Sequence, residues 1–103
     1  MSLSTHVLDA VNGVPAVGLR VSWHFGASVV TRETDSDGRI SSWGQADAGV
    51  HRLVFDTGSW FGSRGQRTFY PEVSVVFEIV DAEAHHHVPL LLSPFAYSTY
   101  RGS

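Results

Sequence analysis

The chain of 103 residues has no cysteine and no lysine, and only 17% of its residues are charged. Without cysteine there is no disulfide, no thiolate metal site and no cysteine nucleophile, so the fold rests on packing alone. Without lysine, the strongly basic side chains are all arginines, seven of them. A net charge of -3 gives no electrostatic reason to expect a nucleic acid or an anionic membrane as partner. Long apolar runs are also missing. The opening MSLSTHVLDA carries no basic stretch, so neither a secretory signal nor a membrane-spanning helix is expected, and a cytoplasmic protein is the default. The scarcity of charge points to surface buried in an oligomer.

What is present is a hydrophobic fraction of 43%, enough for a folded core in one domain over residues 1–103. GLRVSWHF, VHRLVFD and EVSVVFEIVD alternate or cluster Val, Phe, Ile and Leu between Gly, Pro, Asp and Ser, which predicts strands. The turn signals Asn12-Gly13, Asp37-Gly38 and Ser93-Pro94 recur at short spacing. That rhythm predicts an all-β, two-sheet antiparallel sandwich rather than a parallel α/β sheet. Only TGSWFGSRG, residues 57–65, has room for a short helical turn.

The two-residue period places Val73, Val75, Phe77 and Ile79 on one strand face and Ser74, Val76 and Glu78 on the other. The run Val88 to Leu92 is instead apolar on both faces. With no helix available to cover its outer face, another subunit is the expected cover.

Three places could carry chemistry: His6 in LSTHVLD, Arg39 in TDSDGRI, and the triplet His85-His86-His87. On a strand, His85 and His87 project to one face and His86 to the other. One reading of His-x-His is a metal site, since zinc accepts neighbouring imidazoles, yet apart from a third imidazole such as His6 no carboxylate pair is spaced to complete a ligand set. A second is acid–base catalysis, with a neutral imidazole taking a proton from water while an arginine holds the developing oxyanion. A third leaves the histidines at a wet strand edge with no role. Taken alone, Arg39 reads as a solvated hairpin arginine, and His24 and His51 as structural or surface residues. The chain closes on YSTYRGS without a polar tail, and the Ser103 carboxylate lies two residues from Arg101, a pairing that would fix the chain end.

Together, LSTHVLDAVNGVPAVGLRV, DGRI and FYPEVSVVFEIVDAEAHHHVPLLLSPFAYSTYRGS resemble the 5-hydroxyisourate hydrolases, transthyretin-like enzymes of purine catabolism. The likeness spans the chain, and its most specific part is the terminal YRGS, which separates the hydrolases from the hormone-carrying transthyretins. The resemblance implies catalytic roles for His6, Arg39 and His87, and substrate binding by Tyr100, Arg101, Gly102 and Ser103. It implies an eight-stranded sandwich and a homotetramer, a dimer of dimers with sites at the dimer–dimer interface. It also implies 5-hydroxyisourate as substrate, with no cofactor and no metal. Two positions depart from the family pattern: His86 stands where a tyrosine is usual, and TDSDGR replaces TNxDGR. A non-catalytic carrier of the same fold, an immunoglobulin-like module and a zinc-binding module are the alternatives.

Overall fold

The computed structural model describes residues 2–103. In chain order its elements are β1 (Leu3–Asp9), β2 (Val14–Pro15), β3 (Arg20–Phe25), β4 (Ser28–Glu33), β5 (Arg39–Ile40), β6 (Gly49–Phe55), α1 (Thr57–Gly62), β7 (Val73–Ile79), β8 (His86–Ser93) and β9 (Ala96–Thr99). One sheet runs β4-β3-β6-β7; the other runs β2-β1-β8-β9, with β5 also paired to β1. The sandwich expected from the sequence is thus present, with its short helix inside the segment that had room for one. Among the described residues there are nine strands where the resemblance implies eight, two of them, β2 and β5, being two-residue pairings onto β1.

One pairing departs from the antiparallel rule. β1 and β8 run parallel, with Leu3 opposite His86 and Asp9 opposite Leu92. Parallel neighbours cannot be joined by a hairpin, and these two strands come from opposite ends of the chain, so no local turn signal announces their pairing. The other strand pairs are antiparallel, and β3 and β4 meet in a tight hairpin in which Phe25 pairs with Ser28.

Between the sheets, Leu3, Val7, Val21, Leu53, Phe55, Val73, Leu90 and Leu92 are fully buried. On β7, Val73 and Ile79 are buried, Val75 and Phe77 half-buried, and Ser74, Val76 and Glu78 exposed, which is the two-residue period made visible. On β8, Val88, Leu90 and Leu92 enter the core while Pro89 and Leu91 lie on the outer face. His51 belongs to the core: its ring stacks 4.0 Å from Phe25, accepts from Trp23 Nε1 at 3.0 Å and donates from Nε2 to the Asp47 carbonyl at 2.8 Å. With both ring nitrogens engaged, that histidine is structural.

Candidate active site

Alternation along β1 sends Leu3, Thr5 and Val7 into the core and leaves Ser4, His6 and Leu8 on the outer face of the sheet. Thr5 anchors the strand by donating from its hydroxyl to the Val88 carbonyl at 2.6 Å. The parallel register then sets Ser4 opposite His87 and His6 opposite Pro89. From the other side, β5 sets Arg39 opposite His6. Residues opposite one another share a sheet face, so His6, Arg39 and His87 rise from one surface, with His6 between the strands that carry the other two. Diagonal neighbours on a sheet face lie about 7–8 Å apart at the backbone, within reach of side chains of this length.

The turn before β5 is built to place Arg39. Asp35 Oδ1 accepts from the amides of Asp37 at 2.8 Å and Arg39 at 3.0 Å, and the Gly38 amide donates to the Asp35 carbonyl at 2.9 Å. The Arg39 and Asp37 amides hold the Asp35 carboxyl below its ordinary value, outweighing a small opposing effect of burial. Gly38 adopts φ +74°, and a Cβ there would stand 2.6 Å from the Val7 carbonyl oxygen and 2.9 Å from Pro15. Only glycine fits, and its own carbonyl accepts from the Val7 amide at 2.8 Å, tying the turn to β1. An asparagine at position 35 would offer the same acceptor oxygen, so the departure from the usual TNxDGR leaves the turn chemistry intact.

His87 is half-buried. Ser4 Oγ lies 2.7 Å from its Nδ1 and also 3.0 Å from His85 Nε2, while Ser2 Oγ lies 2.7 Å from His85 Nδ1. The terminal tetrapeptide meets the same imidazole: the Gly102 amide donates to the His87 carbonyl at 2.8 Å, and a side chain on Gly102 would run into the His87 ring at Cδ2. That close approach is the physical reason for glycine in YRGS. Burial lowers the His87 pKa from its ordinary 6.5, and the positive charges of Arg39, His6 and His85 push it the same way. The imidazole is therefore neutral in neutral solution.

His86 points to the opposite face, is buried, and donates from Nδ1 to the Ala84 carbonyl at 3.0 Å, as alternation requires. Tyr100 and Arg101 border a hollow of about 280 Å³ with Val75, Phe77, Glu78 and His87, at the open edge between β7 and the β8–β9 hairpin. Ser103 is exposed. Its carboxylate does not pair with Arg101, since the one ion pair among the described residues joins Arg20 to Glu33 across β3 and β4. Ser4 is a residue of this site that the sequence left unmarked, and His85 was marked there only as one imidazole of the His-x-His pair. Among the described residues no three His, Asp or Glu side chains converge as a metal site would need.

Residues 3–102 match the HIUase/Transthyretin family. A protein named 5-hydroxyisourate hydrolase from Salmonella dublin is 44% identical, covering 98% of this chain and 80% of its own length. A Klebsiella pneumoniae structure titled as 5-hydroxyisourate hydrolase superposes with TM-score 0.92 at 36% identity, covering 99% of this chain and 98% of that one. Sea bream transthyretin, solved in complex with thyroxine, superposes with TM-score 0.84 at 34% identity, covering 99% and 95%. With the match running through every strand and through the site, the chain belongs to the HIUase/Transthyretin family.

Proposed function

We propose that this protein is a 5-hydroxyisourate hydrolase, opening the six-membered ring of 5-hydroxyisourate at an acyl C–N bond to give 2-oxo-4-hydroxy-4-carboxy-5-ureidoimidazoline in urate degradation. The observation that carries the reading is the register that brings His6, Arg39 and His87 to one sheet face with Gly102 against the His87 ring. The names of the relatives agree with it.

His6 and His87 orient a water, and the neutral His87 imidazole accepts its proton as the oxygen attacks the ring carbonyl. Arg39 meets the anionic substrate or the developing oxyanion with a rigid fork of donors that a lysine would not reproduce. Tyr100, Arg101, Gly102 and Ser103 hold the substrate, and no cofactor takes part. The assembly is a cytoplasmic homotetramer of two dimers, with sites where the dimers meet, which gives the half-buried Leu91 on the outer face its cover. A carrier of the same fold needs an apolar lining. Here the corresponding face carries Ser4, His6, Arg39 and His87, which disfavours that alternative.

The test is the ultraviolet decay of 5-hydroxyisourate, generated in place from urate by urate oxidase, with and without the protein. The intermediate decays unaided, so rates are compared. Acceleration that disappears in His6→Ala is expected; no acceleration by well-folded protein overturns the reading.

A further inference from the structure

Ser2, His85, Ser4 and His87 form one unbroken line of hydrogen bonds: 2.7 Å, 3.0 Å and 2.7 Å. Each interior member can both give and receive a proton. The line begins at a half-buried imidazole inside the site and runs through His85, which is exposed to water, to Ser2. Ser4 itself is buried, so its hydroxyl proton has the two imidazoles as partners and is set by them.

A base in the position of His87 faces a difficulty once it has accepted a proton. Burial disfavours a positive charge on its ring, and Arg39 of β5, His6 of β1 and, when charged, His85 act in the same direction. Glu78 of β7 and Arg101 border the neighbouring hollow. An imidazolium beside Arg39 is costly, and a route that removes the charge relieves the cost.

We propose that Ser4 and His85 are positioning residues that give His87 an outlet for the proton it accepts. At the start His87 Nδ1–H donates to Ser4 Oγ, the Ser4 hydroxyl donates to His85 Nε2, and His85 Nδ1–H donates to Ser2 Oγ. When water gives its proton to His87 Nε2, the Nδ1 proton passes to Ser4 and the Ser4 proton passes to His85 Nε2. Hydroxide is left for attack. His87 stays neutral with its proton now on Nε2, and His85 carries the positive charge, which it discharges to solvent. His87 thereby turns from acceptor to donor at Nε2 without ever holding a net charge. This inference rests on the proposal that His87 is the base.

The first test needs no catalysis. Ring nitrogen-15 NMR of the full chain across the histidine pH range is expected to show His87 moving its proton from Nδ1 to Nε2 as His85 becomes charged, and to show that coupling lost in Ser4→Ala. A His87 tautomer that stays constant while His85 titrates overturns the proposal. The second test is kinetic. His85→Ala, a change at an exposed position, is expected to lower kcat on the order of tenfold with KM unchanged, and added imidazole should restore the rate. Ser4→Thr, which keeps the hydroxyl, should retain it. Full kcat in His85→Ala, or a loss that imidazole does not repair, overturns the outlet. If His87→Ala keeps full activity, the assignment of the base fails instead, and the NMR result still decides the coupling.

Discussion

Gly102 shows how much a single hydrogen atom in place of a side chain can matter. Any Cβ there collides with the His87 ring, so Gly102→Ala must displace either the imidazole or the terminal segment. Misplacing a catalytic group by about 1 Å costs on the order of a hundredfold in rate. Steady-state kinetics on Gly102→Ala should therefore show at least a tenfold loss of kcat, an order of magnitude set by the same geometric argument, while the melting temperature barely moves. Wild-type kcat in this variant would remove the steric account. The acid limb of the pH profile is a second consequence at this scale. In the proposed mechanism His87 acts as the neutral imidazole, and because its folded pKa is lowered by burial and by nearby positive charge, the acid fall of kcat/KM should have its midpoint below 6.5. The unfolded chain binds the proton more readily, so this group also makes stability decline as pH falls below 6.5. A midpoint at or above 6.5 in a plot of kcat/KM against pH would contradict the assignment. His6, Arg39 and His87 were legible because each sits in a short motif that survives as letters. His85 was singled out in the triplet and set on the face of His87, but its link to Ser4 was not legible, because that contact spans 81 residues and depends on a strand register that no local pattern displays.

The β1–β5 junction is the element on which the site turns. Asp35 and Gly38 shape the loop that delivers Arg39 opposite His6, and each does so by a backbone contact. Gly38→Ala introduces a positive-φ side chain against the Val7 carbonyl and should cost roughly 1–3 kcal/mol in denaturant unfolding, together with most of the activity. Asp35→Asn, which keeps an acceptor at the same atom, should leave kcat within about twofold, whereas Asp35→Ala should lower activity more than stability. Equal losses in the two Asp35 variants would show that charge, not acceptor geometry, holds the turn. The strands themselves were readable from the two-residue alternation and from the Asn12-Gly13, Asp37-Gly38 and Ser93-Pro94 punctuation. The parallel pairing of β1 with β8 was not, since a pairing between chain ends leaves no turn between its partners to read.

For the molecule as a whole, the proposed tetramer requires an apolar contact surface beside the site. Leu91 lies half-buried on the same outer sheet face as His6 and His87, and Phe95 and Tyr100 are exposed close by in sequence. Placing a charge at Leu91 should separate the proposed dimer pairs, and analytical ultracentrifugation of Leu91→Glu should show smaller species that have lost activity in parallel. A dissociated variant with wild-type kcat would place the whole site within one chain. The doubly apolar Val88–Leu92 run was the sequence feature that raised this expectation; the structure explains half of it, by sending Val88, Leu90 and Leu92 into the core. The central claim is that chemistry occurs where His6, Arg39 and His87 share a face, and not deeper in the adjoining hollow against Val75 and Phe77 of β7. The most direct measurement is a crystal structure with urate, a flat analogue of the proposed substrate that lacks the 5-hydroxyl group. The account predicts urate against Arg39, between His6 and His87; urate seated in the hollow at the edge of β7, with that face empty, would contradict it.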